Sequence, residues 1–138
     1  MHGLALSALE NEKLLVNLVD EVVATVERVI TSEVWQRARK ADRCLPEVPL
    51  AMPVSASESG NGLPTICRGV IDLVFLESAG WVIVDYKSER VEASDIPALV
   101  TYYKPQIEAY AAAWEKVVGQ SVVESGLFFT HTGKYVTV

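Results

Sequence analysis

Two aspartates stand inside apolar runs with strand character, and their spacing places them at one site. The stretch RGVIDLVFLESAGWVIVDYK covers residues 68–87 and sets Asp72 and Asp85 among almost wholly apolar neighbours. A buried carboxylate is costly unless another group pairs with it. If the predicted hairpin turns about Ser78 and Ala79, the two carboxylates face each other, with Cβ atoms roughly 5 Å apart. A loop of odd length would shift the register by one residue and weaken this pairing.

Charge repulsion between these carboxylates predicts a cation beside them. Two ionised carboxylates at that distance repel by about 3 kcal/mol at an effective dielectric near 20. Strand alternation places Lys87 on the same face as Asp85. Mg²⁺ commonly takes one or two carboxylates with water and phosphate oxygens, and a neighbouring lysine can orient water or hold a phosphate. The cluster predicts metal-assisted phosphodiester hydrolysis, and a buried Asp–Lys ion pair is the alternative.

The N-terminal third of the chain has the pattern of helices. Apolar residues recur at spacings of three and four over residues 9–42, which predicts an amphipathic helix with its apolar stripe in the core. A break near Thr31 and Ser32 divides this stretch. Ser32 is placed to cap a second short helix that runs through Arg43.

Strand and helix patterns alternate in the rest of the chain. LPEVPLAM predicts an edge strand because its two prolines cannot donate hydrogen bonds. Asp95 is placed to cap a short helix, and Pro105 to open a longer one that ends near Val118 with Gly119 as its C-cap. The predicted strands lie at 45–52, 65–76 and 80–87, with a polar loop at 53–64 and two further strands around a Thr-Gly turn in 121–138. This order indicates an α/β domain with a mixed sheet flanked by helices.

Length and composition narrow the classes of function. The chain has 138 residues, half of them hydrophobic, which favours one globular domain, with a helical part at 1–43 and the sheet and site at 44–138. Apolar runs fall far short of the roughly 20 residues of a membrane span. No signal peptide is evident, so we expect a cytoplasmic protein without membrane contact. The two cysteines, Cys44 and Cys67, fit neither a disulfide framework nor a metal-binding pair.

Several motifs in order resemble one family. GVIDLVF, GWVIVDYKS and YYKPQIEAY resemble the C-terminal nuclease domain of RecB- and AddA-type helicase–nucleases, which belong to the PD-(D/E)xK superfamily. The resemblance implies a restriction-endonuclease-like αβββαβ core and a Mg²⁺-dependent (exo)deoxyribonuclease, in which Mn²⁺ can substitute. Asp72 and Asp85 would be metal ligands and catalytic residues, and Lys87 the catalytic lysine. Tyr86 would add its backbone carbonyl to the metal, and Glu47 would lie near the metal or serve structure as a solvated edge-strand carboxylate.

The same resemblance gives roles to the helix that follows. Gln106 and Tyr110 lie four residues apart on one helical face, and in the family this motif helps to place the DNA strand. The alternative is that Tyr110 only packs in the core, with Ile107, Ala111 and Trp114. One departure concerns an upstream metal-binding histidine, because the only upstream histidine is His2, at a terminus where fraying disfavours a ligand.

That departure leads us to expect a fragment of a larger helicase–nuclease. The net charge of −6 disfavours a free-standing nucleic-acid binder, whereas motor domains of a parent chain, together with a partner protein, would supply the grip on DNA. The chain itself has no Gly-Lys-Ser/Thr phosphate loop. Two alternatives stay open: a catalytically incomplete nuclease fold that binds DNA or a partner, and a structural interaction domain.

Overall fold

The computed structural model describes residues 2–54 and 65–138, with the backbone alone at 2–14, 54, 65 and 67. Its elements in chain order are α1 (His2–Thr31), α2 (Glu33–Lys40), β1 (Arg43–Val54), β2 (Thr65–Glu77), β3 (Gly80–Lys87), α3 (Ile96–Val118), β4 (Val122–Phe129) and β5 (Lys134–Thr137). Most of the predicted polar loop at 53–64 lies outside the described residues.

The five strands form one mixed sheet in the order β1-β2-β3-β4-β5. Neighbouring strands are antiparallel except β3 and β4, which are parallel and are joined through α3. A parallel pair needs such a crossover because its connection must return along the full strand length. The predicted α/β class is confirmed, and β1 is an edge strand as its prolines indicated.

Ser32 separates the first two helices as predicted. Its backbone is extended, and its side chain accepts a hydrogen bond from the Trp35 N–H at 3.3 Å, which satisfies a donor that the helix leaves free. The predicted limits were wrong at both ends. The described α1 begins at His2 rather than at residue 9, and α2 ends at Lys40 because Arg43 already belongs to β1.

The apolar stripe of α1 lies at the surface, against the expectation of core packing. Its described members are about half exposed or more, with Leu15, Val22 and Val26 at 63%, 56% and 51%. The helix is tied down by polar groups on another side: Arg28 donates to the Thr130 carbonyl at 3.1 Å, and Glu21 pairs with Arg90. Those contacts turn the stripe outwards. None of the described helices is long and apolar enough to cross a membrane.

One continuous helix replaces the two helices predicted after β3. α3 runs from Ile96 to Val118 with Pro105 inside it, and Gly119 ends it in the left-handed conformation, as predicted. Proline removes one helical hydrogen bond, but Pro105 and Thr101, whose carbonyl loses its donor, are both exposed, so water can replace that bond. Asp95 takes the N-cap position without a side-chain capping bond.

The sheet has an apolar core on each face. On the α3 side, helix residues such as Ile107 and Trp114 pack against Ile83, Leu127 and Phe129. On the other side, Val34 and Ala38 of α2 cover residues such as Phe75 and Phe128. The central strands β3 and β4 are therefore buried on both faces and rigid, and they carry the candidate site at their ends.

A polar cluster fastens α2 to the end of the sheet opposite the candidate site. Arg37 makes paired hydrogen bonds to Glu77, at 2.8 and 3.0 Å, and to Glu124, at 2.8 and 3.1 Å. Tyr135 donates to Glu124 at 2.8 Å. The hydrogen bonds from Arg37 lower the pKa of Glu124, against the opposing effect of burial.

Candidate active site

The hairpin of β2 and β3 places the two aspartates side by side at its open end. The turn falls at Ser78 and Ala79, and the paired residues run from Glu77–Gly80 to Leu73–Val84, which confirms the predicted register. Asp72 and Asp85 are the next residues beyond this ladder. The Asp72 carboxylate there accepts a hydrogen bond from the Tyr86 backbone N–H at 2.7 Å.

Asp85 is the buried member of the pair. Its Oδ2 lies 2.6 Å from Lys87 Nζ, and the two side chains are only 8% and 13% exposed. The contact is an ion pair without hydrogen-bond angles, because the same Oδ2 has no hydrogen-bond partner among the described residues. Burial raises the pKa of Asp85; Lys87 lowers it and the Asp72 carboxylate raises it, and burial dominates.

Lys87 is held by α3 as well as by Asp85. Its Nζ donates to Gln106 Oε1 at 3.2 Å and lies 3.7 Å from the centre of the Tyr103 ring. Gln106 Nε2 in turn donates to the Tyr110 hydroxyl at 3.3 Å. The structure therefore brings Gln106 and Tyr110, predicted from their helical spacing, into one chain of contacts with Lys87.

Tyr110 has a defined seat on β2. A Cβ atom built on Gly69 would lie 2.8 Å from both Cε1 and the hydroxyl of Tyr110, closer than packed atoms come. Glycine at this position thus lets the ring rest on the strand backbone. The seat fixes the tyrosine hydroxyl where Gln106 can reach it, and Tyr110 also packs against the core.

Glu47 stands on the edge strand next to the strand that carries Asp72. The β1–β2 ladder is paired on both sides of it, at Pro46–Leu73 and Val48–Ile71, but Glu47 itself is unpaired. Its φ of 51° is in the left-handed region, which costs a residue with a side chain roughly 1 kcal/mol or more. The strained backbone sets an exposed carboxylate on the cleft that Asp72 also lines.

That cleft, of about 580 Å³, opens between these two carboxylates and the first two helices. Trp35 and Tyr86 line it as well. The Tyr86 hydroxyl is buried with no hydrogen-bond partner among the described residues, and burial raises its pKa to about 12. Metal binding by the Tyr86 carbonyl stays a prediction.

The donor set suits a hard divalent cation. Asp72, Asp85 and Glu47 offer only carboxylate oxygens, the ligands that Mg²⁺ prefers, and Mg²⁺ needs only one or two of them when water and phosphate complete its shell. A buried Asp85 oxygen without a hydrogen-bond partner among the described residues agrees with such a ligand. Within residues 2–54 and 65–138, however, no three acidic, histidine or cysteine side chains converge on one point.

Two site residues were missed by the sequence interpretation. Tyr103 contacts Lys87, and Glu89 accepts a hydrogen bond from the Tyr103 hydroxyl at 3.0 Å. Tyr103 stands three residues before Gln106 and seven before Tyr110, so helical periodicity could have placed it on the same face. The assumption that Pro105 starts a new helix concealed this relation. Glu89 follows the strand in an irregular segment and gave no signal.

Comparison with known families identifies the chain. Residues 4–136 match the PD-(D/E)XK nuclease superfamily. The chain belongs to this superfamily. Its mixed five-stranded sheet with flanking helices agrees with that membership, as does the position of Asp85 and Lys87 at the end of a central strand.

The similar curated proteins share one description, that of an ATP-dependent helicase/nuclease subunit. The protein of this description from Carboxydothermus hydrogenoformans is 34% identical over 118 residues, which cover 82% of this chain and 10% of that protein. Those from Clostridium novyi and Desulforudis audaxviator are 31% identical over 115 residues and 38% over 93, covering 78% and 63% of this chain and 9% and 8% of theirs. The chain thus spans about a tenth of the length of the curated relatives it matches.

Proposed function

We propose that this chain is a metal-dependent DNA nuclease domain that hydrolyses phosphodiester bonds with Mg²⁺, for which Mn²⁺ can substitute. The observation that carries the proposal is the meeting of Asp72 and Asp85 at the open end of the β2–β3 hairpin, with Lys87 paired to Asp85 at 2.6 Å. Two carboxylates so close gain from a divalent cation between them.

Each site residue has a distinct role in this proposal. Asp72 and Asp85 would hold Mg²⁺, with Glu47 as a nearby carboxylate and the Tyr86 carbonyl as a further ligand. The bound metal would act as a Lewis acid on the scissile phosphate. Lys87 would donate to a phosphate oxygen and help to orient the attacking water.

The α3 residues would serve the same site through Lys87 and the DNA. Gln106 accepts from Lys87 and donates to Tyr110, so it fixes the lysine on the side where the strand would lie. Both Gln106 and Tyr110 would then position the DNA strand, with the exposed Gln106 nearer to the nucleic acid.

The parent protein is inferred from the relatives, whose names describe an ATP-dependent helicase/nuclease subunit. We infer that this domain acts with helicase motor domains and a partner protein in cytoplasmic DNA repair or recombination. The net charge of −6 supports that division of labour, because motor domains would supply the phosphate contacts that an acidic domain lacks.

A catalytically incomplete module is the rival candidate. It is favoured by one observation: no third acidic, histidine or cysteine ligand converges with the two aspartates in the part of the chain that the structure describes. Such a domain would keep the fold to bind DNA or a partner, and it would bind metal weakly.

Thermal unfolding with and without millimolar Mn²⁺ separates these candidates. A ligand that binds only the folded state raises its stability, by about 2.7 kcal/mol at a hundredfold excess over Kd. We expect Mn²⁺ to raise the Tm of the wild type but not of Asp72→Ala or Asp85→Asn. Asp42→Asn is the matched control, because Asp42 is exposed near the opposite, turn end of the hairpin.

DNA cleavage is then measured on end-labelled single-stranded and duplex DNA. The proposal predicts Mg²⁺-dependent product that Lys87→Met abolishes while the Mn²⁺-induced rise in Tm persists. Metal binding without cleavage by the wild type would favour the incomplete module. No response of the wild-type Tm and no cleavage would refute the metal-dependent nuclease.

A further inference from the structure

The Lys87 ammonium is enclosed by three groups of different chemistry. Asp85 Oδ2 lies at 2.6 Å, Gln106 Oε1 at 3.2 Å, and the centre of the Tyr103 ring at 3.7 Å. The first two are polar acceptors that a bound metal or phosphate would compete for. The aromatic face is the one contact of these three that neither ligand can displace by coordination.

The Tyr103 ring is itself fixed by two neighbours. Its hydroxyl donates to Glu89 Oε2 at 3.0 Å, and the Tyr102 ring packs edge-on against it at 4.9 Å between centres. Donation to a carboxylate leaves the phenol ring richer in electrons, and a cation binds more tightly over a more negative ring face. Burial, and then the hydrogen bond to Glu89, raises the pKa of Tyr103, which keeps the phenol protonated at neutral pH.

We propose that Tyr103 is a positioning residue for Lys87, with its ring as a platform that holds the ammonium beside Asp85, and that Glu89 sets the ring. A lysine side chain has four flexible torsions, and its ordering is costly. The platform removes the rotamers in which Nζ swings away from the strand end. The catalytic consequence rests on the proposed nuclease function, whereas the geometry does not.

Nuclear magnetic resonance tests the geometry without any need for activity. Protons held above an aromatic ring resonate upfield, so the Lys87 ε-CH₂ signals are expected upfield of those of Lys104. Lys104 is the internal reference because it lies on the same α3, is half exposed, and pairs with Glu108 at 3.6 Å. The Lys87 signals are assigned by their loss in Lys87→Arg.

The variants distinguish the ring from the hydroxyl. Tyr103→Leu should return the Lys87 signals to the Lys104 position, Tyr103→Phe should keep most of the upfield shift, and Glu89→Gln should reduce it. The control is Tyr102→Leu, since Tyr102 is 75% exposed and contacts the Tyr103 ring; the upfield shift should persist there. Wild-type Lys87 signals at the Lys104 position would overturn the proposal, even if Tyr103→Leu failed to fold.

Kinetics tests the consequence for catalysis. In a wild type that cleaves DNA, Tyr103→Leu should lower kcat by roughly threefold to tenfold, as expected for loss of one cation–π contact, with little change in KM and with rescue in Tyr103→Phe. Equal loss in the Phe and Leu variants would overturn the role of the ring in positioning. A wild type without cleavage but with the upfield shift would refute the nuclease proposal and leave the platform confirmed.

Discussion

Replacement of Asp85 by asparagine asks whether its carboxylate stabilises the fold or burdens it. The substitution keeps the shape of the side chain and an oxygen that can accept from Lys87, but it removes a charge. The direction of the effect depends on whether burial of that charge or its attraction to Lys87 dominates. A metal-binding carboxylate is expected to be a burden until the metal arrives.

The structure sets the size of both opposing effects. At 2.6 Å and an effective dielectric of 20, the gross attraction between Asp85 and Lys87 is about 6 kcal/mol. Burial costs several kcal/mol for each ion, and Asp72 adds repulsion. Because the pKa of Asp85 is raised overall, the burden wins, and Lys87 keeps two other contacts, with Gln106 and Tyr103.

We therefore expect Asp85→Asn without metal to equal the wild type or to exceed its free energy of unfolding by up to about 1 kcal/mol at pH 7. A carboxylate with a raised folded-state pKa favours folding below its unfolded pKa, and this contribution is lost as pH rises through the folded value. Any advantage of the asparagine should thus fade as pH falls below about 4.

Urea unfolding from pH 3 to pH 7 measures these free energies, with Asp42→Asn as the control. Lys87→Met is the informative comparison, because it leaves two carboxylates without their cation and should cost about 2 to 3 kcal/mol at pH 7. A loss of about 3 kcal/mol or more in Asp85→Asn, similar to that in Lys87→Met, would refute the reasoning. It would identify a structural ion pair in place of a metal ligand.

Three further substitutions test the surrounding structure. Arg37→Met should lower the free energy of unfolding by about 2 kcal/mol at pH 7; the lowered pKa of Glu124 contributes stability above its unfolded pKa that is lost as pH falls, so urea unfolding should show a smaller difference below about pH 4. Glu47→Gly should stabilise by up to about 1 kcal/mol by relieving the left-handed backbone, whereas Glu47→Gln should not, and equal unfolding midpoints for the two would contradict the strain. Gly69→Ala should cost about 1 to 3 kcal/mol through its clash with Tyr110, and an undiminished cost when Tyr110→Ala is added would count against that clash.

Local sequence signals determined the elements and the register of the hairpin. Strand boundaries at β3, the cap at Ser32, the end of α3 at Gly119 and the turn at Ser78 follow from residues a few positions apart. Their physical basis is short-range: backbone conformations that particular residues favour, and hydrogen bonds within one or two turns. Asp85 and Lys87 could be singled out for the same reason, since alternation along one strand puts them on one face.

Tertiary contacts decided what the local pattern left open. The sequence of α1 indicated a buried stripe, but polar contacts from Glu21 and Arg28 turn that stripe outwards. Pro105 indicated a helix start, yet α3 continues through it, because packing of its apolar face against the sheet outweighs one lost hydrogen bond at the exposed side.

The same division holds within the site. The sequence alone located Asp72, Asp85 and Lys87, because a hairpin of known turn fixes which residues lie opposite. Only the fold brought Tyr103 over the Lys87 ammonium and placed Glu89 at the phenol hydroxyl. Contacts between a strand end and a later helix depend on how the helix docks on the sheet, and that docking is set by the summed burial of many side chains rather than by any local motif.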